Sequence, residues 1–501
     1  MASEVATSSL NNLIPNMFLL QRITLTRNPL FFYNTPMPQT SRKQLTVADS
    51  ILELIGSTPM LKTHSVDTGP CDLFLKLESQ NPGQSIKDRI ALTMIQKAED
   101  EGHLKKGVRI IEATAGNTGI ALALVASQKG YDITVVVPDK MSEGKIAHLR
   151  AMGADVVMAR SDVEKGHPEY YQEVAEGLAK ENDWFFVNQF SNNANVTAHY
   201  QSTGPEIWEQ MNGDIDAIVM GVGSGGTITG VGSYLKEKNP NIEIILADPT
   251  GSVLAPLVNE GKKVPAGSWL VEGIGEDFVP SITDLELVTE AYWIDDKVAF
   301  EIARDLLNKE GVLVGSSAGT LAAAALKWCQ KQTEYKRVVT FACDHGSKYL
   351  GKMFNDYWML DQGFIDRKKH GDLRDLIARR HSVKEDHTLT GNVPVLQAIK
   401  TMQLYDISQL AILDEQHQVL GIIDESDVLL AVHNDNENFS KPVSEFMTSN
   451  VSTISPTDSI DTLVPLFKED KVAIVIDEDG SFLGLVTKMD LIHHLRKKLP
   501  R

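Results

Sequence analysis

Short apolar runs alternate with longer amphipathic stretches between residues 46 and 360. The clearest apolar runs are VRIIEAT (108–114), DITVVVP (132–138), DAIVMGV (216–222) and IEIILAD (242–248). Amphipathic stretches such as RIALTMIQKAEDEG (89–102) have helical periodicity. In this stretch, one face of the helix carries the apolar residues Ile90, Met94, Ile95 and Ala98. Nearly continuous apolar strands separated by helices are typical of parallel sheets covered on both faces. The pattern therefore predicts an α/β core.

An internal repeat begins after the polar stretch DRKKHGDLRD (366–375). LAILDEQHQVLGIIDESDVLL (410–430) resembles VAIVIDEDGSFLGLVTKMDLI (472–492), with the equivalent glycines Gly421 and Gly484 63 positions apart. Each copy predicts a strand, an acidic turn, a strand and a helix. One such unit buries too little apolar surface alone, so we expect the two copies to pack their sheets together. The predicted organisation is a core over 46–365, a linker over 366–376, and modules over 377–435 and 436–498.

Composition and charge narrow the class of protein. Of 501 residues, 42% are hydrophobic and 23% charged, which is typical of a soluble globular protein. No stretch approaches the roughly 18 uninterrupted apolar residues of a membrane span, and a formal net charge of -19 argues against nucleic-acid binding. The cysteines, Cys71, Cys329 and Cys343, form no C-x-x-C pair, so we expect neither disulfides nor a metal site. We expect a cytoplasmic protein.

The first 45 residues differ from the rest of the chain. They are rich in Ser, Thr and Asn, contain Arg22 and Arg27, and carry a single acidic residue, Glu4. A disordered tail has this composition. An organelle transit peptide has it too, and would change the predicted compartment.

A glycine-rich loop follows the run at 216–222. Gly221, Gly223 and Gly226 spell G-x-G-x-x-G, the helix-like VGSYLKEK follows, and the next apolar run ends on Asp248. A dinucleotide-binding unit has this arrangement. The N–H groups at a helix N-terminus favour a phosphate without deciding which one.

Three further segments carry candidate chemistry. NPGQSIKDRIAL (81–92) places Lys87 at a helix start, where desolvation lowers the pKa of an amine and favours Schiff-base formation. A solvated surface lysine is the plain alternative. GVLVGSSAGTLAAAALK (311–327) brings Ser317 and small residues to another helix start. That pattern suits contact with the nitrogen of a flat ring, and equally suits close helix packing.

The segment IIEATAGNTGIALALVA (110–126) joins a strand to a helix through small residues. Thr114, Thr118 and the loop N–H groups can receive a carboxylate, and Asn117 can donate to a phenolic oxygen. A tight structural turn is the alternative.

In this order, the four segments resemble the pyridoxal-phosphate enzymes of the β-family, fold type II. The resemblance implies a core of two parallel-sheet α/β subdomains with Lys87 as the Schiff-base lysine. It implies that the cofactor is also held by Asn117, Gly223, Ser224, Gly225, Gly226, Thr227 and Ser317. It implies a substrate carboxylate bound by Thr114, Ala115, Thr118 and Gln189. The dinucleotide interpretation leaves the other three segments unexplained.

Further segments are similar to the cystathionine β-synthase branch of that family, namely NQFSNNANVTAHY (188–200), DPTGS (248–252), VEGIGEDFVP (271–280) and DYWMLDQGF (356–364). The resemblance implies a β-replacement of transsulfuration, in which L-serine or O-acetylserine condenses with L-homocysteine to cystathionine, in a homodimer or homotetramer. Cysteine synthase, serine or threonine dehydratase, and a ligand sensor built on an inactive core are the alternatives.

The repeated tail resembles a pair of CBS domains, although an unrelated duplicated α/β domain is an alternative. CBS pairs bind adenosine compounds, which implies a regulatory site at Thr487, Asp490 and Asp427 for S-adenosylmethionine or a related ligand. The first copy has Asp424 at the position where the second copy has Thr487. A carboxylate at that position disfavours binding of a phosphate in the first copy. Constitutive stabilisation without any ligand is the alternative.

Some positions depart from the family pattern. Ala115 stands where many relatives have Ser, Phe190 where Tyr is familiar, and CDH (343–345) replaces a P-D-S-like segment. These departures leave the choice between serine and O-acetylserine open. Haem is not expected, because a haem-binding extension needs a Cys and a His ahead of the core. In this chain the first His and the first Cys, His64 and Cys71, lie at or inside the core.

Overall fold

The computed structural model describes residues 47–114, 116–139, 141, 143–164 and 166–496. Every described helix and strand lies in one unit of the chain, Ser50–Arg501. The segment 1–45 and Ala115 fall outside the described residues. No helix in the described ranges is long and apolar enough to cross a membrane.

Among the described residues, ten strands form two sheets in the core. They are β1 (Met60–Lys62), β2 (Cys71–Lys76), β3 (Ile110–Ala113), β4 (Ile133–Pro138), β5 (Asp155–Ala159), β6 (Phe185–Phe186), β7 (Ala217–Met220), β8 (Glu243–Pro249), β9 (Glu290–Ile294) and β10 (Lys336–Phe341). The larger sheet has the order β1-β2-β10-β7-β8-β9 and is parallel except for β1. The smaller sheet, β5-β4-β3-β6, is parallel throughout. The predicted pair of parallel-sheet subdomains is confirmed.

Helices cover these sheets. They are α1 (Lys87–Asp100), α2 (Asn117–Lys129), α3 (Glu143–Ala151), α4 (Tyr171–Asn182), α5 (Asn193–Ala198), α6 (Gly204–Gln210), α7 (Gly226–Lys238), α8 (Leu254–Glu260), α9 (Asp296–Glu310), α10 (Ser316–Gln330) and α11 (Asp356–Asp361). A π-helical turn, His199–Thr203, joins α5 to α6. The predicted apolar face of α1 is buried in the core of the smaller sheet.

The tail contains two similar modules, as the repeat predicts. The first comprises β11 (Thr388–Thr390), α12 (Val395–Tyr405), β12 (Gln409–Leu413), β13 (Val419–Asp424) and α13 (Glu425–Asn434). The second comprises β14 (Thr453–Ile454), α14 (Leu463–Lys468), β15 (Ala473–Ile476), β16 (Phe482–Val486) and α15 (Lys488–Arg496). Each has a mixed three-stranded sheet. The sheets share an apolar cluster formed by Ala411, Leu413, Ile474 and Phe482.

The predicted linker, 366–376, contributes to the second module. Leu373 and Leu376 are buried together with Ile377 in the apolar core of that module. Arg367 donates to the carbonyl oxygens of Ile377 and Ala378 at 3.1 and 3.0 Å. The segment is therefore held in place by packing and hydrogen bonds.

A buried charge cluster fixes the start of α1. Arg89, only 2% exposed, donates to Glu78 at 2.7 and 2.9 Å and to Glu206 at 2.7 and 2.8 Å. Burial alone raises the pKa of Glu206, but the hydrogen bonds and charge of Arg89 lower it to about 2. Glu78 follows β2 of the larger sheet, whereas α1 packs in the core of the smaller sheet. The cluster therefore ties the two subdomains together.

Arg89→Met should destabilise the fold, because it leaves the buried Glu78 carboxylate without its cation. We expect a loss of about 3–5 kcal/mol in the free energy of unfolding, measured by urea unfolding followed by tryptophan fluorescence. Arg160 is a matched control, since it pairs with Asp162 and Glu169 with its side chain 49% exposed. Arg160→Met should lose less than about 1 kcal/mol. Equal losses in the two variants would contradict the assigned role of the cluster.

Candidate active site

Four helix N-termini converge on one cavity in the core. Its lining includes Lys87 at the start of α1, Asn117 at the start of α2, the loop before α7 and Ser317 in the first turn of α10. The positive ends of these helix dipoles and their free N–H groups make the cavity favourable for an anion. The structure thus brings together the predicted cofactor-binding residues Lys87, Asn117, Gly223, Ser224, Gly225, Thr227 and Ser317.

The loop before α7 has no room for side chains at its glycines. A Cβ at Gly223 would collide with the carbonyl oxygen of Gly273, one at Gly225 with the Thr283 hydroxyl, and one at Gly226 with Asn195. Gly225 also has a φ of +89°, in the left-handed region that glycine adopts without strain. The loop therefore packs tightly against these neighbours, and the first N–H groups of α7 have no partner within the helix.

Neutral groups hold the two hydroxyls of this loop. Ser224 Oγ accepts from Asn195 Nδ2 at 2.9 Å, and Thr227 Oγ1 lies 3.1 Å from His199 Nε2. The Nδ1 atom of His199 lies 2.9 Å from the Thr203 hydroxyl. Burial lowers the pKa of His199 well below its usual range, so the imidazole is neutral. An anion here would be held by N–H groups and hydroxyls without a cationic side chain from the loop.

Lys87 is half-buried and borders the cavity. Desolvation lowers its pKa, although Cys343, Glu276 and Asp344 oppose the shift. A lysine with a lowered pKa supplies more of the neutral amine, which is the form that attacks a carbonyl or accepts a proton.

The Asn117 carboxamide is oriented by two residues that the sequence interpretation missed. Its Nδ2 donates to Asp344 at 2.8 Å and its Oδ1 accepts from Lys348 at 2.7 Å. Tyr349 also donates to Asp344, at 2.8 Å. One N–H of the carboxamide remains for a ligand. In the sequence, Asp344 stands out only because the CDH segment (343–345) differs from the family pattern. That difference does not predict its hydrogen bond with Asn117.

Ser317 lies beside a thiol in the same cavity. Ser317 is buried, and Cys343 borders the cavity with it. Burial raises the pKa of Cys343 to about 12, so its thiol stays protonated. On this side, a ligand in the cavity would therefore meet the Ser317 hydroxyl and a neutral thiol.

A cleft of about 260 Å³ adjoins the cavity and is also lined by Lys87. The described residues of the predicted carboxylate site, Thr114, Thr118 and Gln189, all line it. The Thr118 hydroxyl donates to Gln189 Oε1 at 2.7 Å, and Thr114 Oγ1 accepts from Gly116 N at 3.2 Å. Thr118 lies in the first turn of α2, whose N-terminus favours a carboxylate.

A separate cavity of about 300 Å³ lies between the two tail modules, with Arg379, Asp386, His387, Phe482, Thr487 and Asp490 among its lining residues. Asp490 accepts from the backbone N–H and the hydroxyl of Thr487, both at 2.7 Å. The predicted Asp427 is not part of this lining. Its carboxylate accepts from Asp424 N at 3.1 Å and completes the capping box of α13.

Asp248 does not serve a ribose, as the dinucleotide interpretation would require. It is fully buried and accepts from Ala255 N at 2.8 Å, in the first turn of α8. Its carboxylate therefore fixes a helix start.

The main cavity fits pyridoxal phosphate. The start of α7, with Thr227, suits the phosphate, and the remaining N–H of Asn117 suits the phenolic oxygen. Ser317 suits the ring nitrogen and Lys87 the aldehyde. The glycines at 223, 225 and 226 let the backbone pack closely against Gly273, Thr283 and Asn195, which fixes the loop at the cavity.

Two families match the chain. Residues 51–344 match the pyridoxal-phosphate dependent enzyme family. Residues 374–434 and 443–497 each match the CBS domain.

Known relatives agree with these families. The cystathionine β-synthase of Apis mellifera is 34% identical over 90% of this chain and 91% of its own. A cysteine synthase of Staphylococcus aureus is 40% identical over 60% of this chain and 95% of its own. The crystal structure of a hydrogen sulfide-producing enzyme from Fusobacterium nucleatum matches with a TM-score of 0.57 at 38% identity, over 61% of this chain and all of its own. The chain therefore belongs to the pyridoxal-phosphate-dependent enzymes, and within them it is a cystathionine β-synthase-like enzyme with two C-terminal CBS domains.

Proposed function

We propose that this enzyme condenses L-serine, or O-acetylserine, with L-homocysteine to give cystathionine. The observation that carries the proposal is the convergence of Lys87, Asn117, Ser317 and the loop 223–227 on a cavity that adjoins the predicted carboxylate-binding residues. Similarity over 90% of the chain, tail included, to a protein named cystathionine β-synthase supports homocysteine as the second substrate.

Lys87 moves the proton in this reaction. Bound pyridoxal phosphate supplies the electron-accepting ring that makes the α-proton of an amino acid acidic. The free Lys87 amine removes that proton and later returns it to the same carbon. In between, the bond from the β-carbon to oxygen breaks and the homocysteine sulfur takes the place of that oxygen. The thiol proton leaves with the hydroxyl group as water, or with acetate as acetic acid.

Other residues orient the reactants. Thr114, Thr118 and Gln189 hold the carboxylate of the first substrate at the start of α2. Ser317 offers a hydroxyl to the ring nitrogen, and a hydroxyl does not keep that nitrogen protonated as a carboxylate would. A less protonated ring withdraws fewer electrons, which favours loss of the β-substituent.

The cavity between the CBS modules is proposed as a regulatory site for an adenosine compound, with S-adenosylmethionine as the first candidate. Asp490 suits the hydroxyls of a ribose, because a carboxylate accepts from both. Arg379 and His387 line the same cavity, and their side chains can contact the rest of the ligand.

A paired turnover assay tests the main proposal. The purified protein, with added pyridoxal phosphate, receives homocysteine with either serine or O-acetylserine, and cystathionine is followed by mass spectrometry. We expect cystathionine from at least one pair, and the faster pair identifies the first substrate.

A competition between homocysteine and sulfide tests the cysteine synthase alternative. The 40% identity of the core to such an enzyme supports that alternative. Cysteine formed in place of cystathionine would overturn the proposal.

Lys87→Ala should abolish covalent attachment of pyridoxal phosphate and lower kcat by at least about 10³-fold, because the amine is lost as both anchor and base. Attachment is measured as the mass retained after borohydride reduction. The control is Lys97→Ala on the same helix, where the side chain is 43% exposed and pairs with Glu101. It should retain both attachment and activity. Retained cofactor mass in the Lys87→Ala protein would show that another group forms the link.

Asp490→Asn should weaken S-adenosylmethionine binding about tenfold or more, because a charge-assisted hydrogen bond is lost. Calorimetric titration of the full chain measures it, with ATP as the comparison ligand. The repeat supplies the control, since Asp427 is the equivalent residue outside the cavity. Asp427→Asn should leave the affinity within about twofold. Failure of the unaltered protein to bind either ligand would remove the regulatory role.

A further inference from the structure

Lys145 is a buried lysine on the wall of the substrate cleft. It lies in α3, is 7% exposed, and lines the cleft together with Lys87 and Tyr349. Its ammonium pairs with the Glu272 carboxylate and lies 5.5 Å from the centre of the Tyr349 ring. The fold thus places a cation in the wall of the cleft proposed for the substrates, on the opposite subdomain from Glu272.

Glu272 has a second cation, which makes Lys145 available to another anion. Lys352 pairs with the same carboxylate at 2.7 Å. Burial alone raises the pKa of Glu272, but Lys145 and Lys352 lower it, so the carboxylate is ionised. One carboxylate therefore faces two ammonium groups. If Lys145 changes partner, Glu272 keeps Lys352 and no buried carboxylate is left without a cation.

The two substrates of the proposed reaction each carry a carboxylate. The first is assigned to Thr114, Thr118 and Gln189, which are uncharged residues near the start of α2. The carboxylate of the second amino acid needs a partner of its own. Lys145 lines the cleft beside Lys87, and a charge-assisted hydrogen bond from a mostly buried ammonium strengthens away from water.

We propose that Lys145 binds the carboxylate of the incoming thiol substrate, and so selects an amino-acid thiol over sulfide and over thiols without a carboxylate. The inference rests on the proposed function. Lys145 exchanges Glu272 for the substrate carboxylate, while Lys352 continues to neutralise Glu272. It is a specificity-determining residue for the second substrate and takes no part in moving the proton.

The test compares two thiols in the holoenzyme at saturating first substrate. One is homocysteine, and the other is 3-aminopropane-1-thiol, which is homocysteine without its carboxylate. Lys145→Met should raise the KM for homocysteine at least about tenfold and change kcat less than about threefold. It should change the KM for 3-aminopropane-1-thiol less than about twofold, because that thiol has no carboxylate to lose.

Two further variants separate charge from structure. Lys145→Arg keeps the cation and should restore the KM for homocysteine to within about threefold. Lys129→Met is the matched control, since Lys129 is a mostly buried lysine of the same subdomain that pairs with Glu99 at 2.6 Å away from the cleft. It should leave the KM of both thiols within about twofold.

Equal losses for both thiols in Lys145→Met would mean a structural role and overturn the inference. An unchanged KM for homocysteine would overturn it as well. Both results leave the unaltered enzyme making cystathionine, so the proposed function would stand. If the unaltered enzyme makes no thioether from homocysteine, the proposed function fails and the inference fails with it.

Discussion

The buried contact between Arg89 and the carboxylates of Glu78 and Glu206 is the interaction on which the active-site geometry depends. Arg89 lies two residues after Lys87, so the guanidinium fixes the helix start that carries the reactive amine. The cluster also spans the two subdomains whose loops form the cavity. Charges that are buried this deeply tolerate little displacement, because each one loses its partner if the subdomains shift.

The loop before α7 offers an anion little positive charge from side chains. The start of α7 supplies backbone N–H groups, and the neutral His199 lies 3.1 Å from the Thr227 hydroxyl. The cations Lys145 and Lys348 contact Glu272 and Asn117, which are not part of this loop.

Sequence patterns predicted both the fold class and the residues that meet in the cavity, because each motif is local and each lies where a strand or loop leads into a helix. The strand order could not be read, since β10 inserts between β2 and β7 from a distant part of the chain. The same distance hid Asp344 and Lys348, whose contacts with Asn117 are made only in three dimensions. The linker prediction rested on polarity, and Leu373 and Leu376 show how few apolar side chains are needed to pack such a segment.

The residues that follow the packed connecting segment also link the tail to the core. Arg379 lines the cavity between the modules and lies over the ring of Tyr357, at 5.3 Å, in the last helix of the core. Tyr357 in turn donates to the carbonyl oxygen of Glu385 at 3.0 Å. A flexible linker would not transmit a displacement from the cavity to the core. Here Arg379 contacts both the cavity and the core, so a ligand that displaces Arg379 also disturbs its contact with Tyr357.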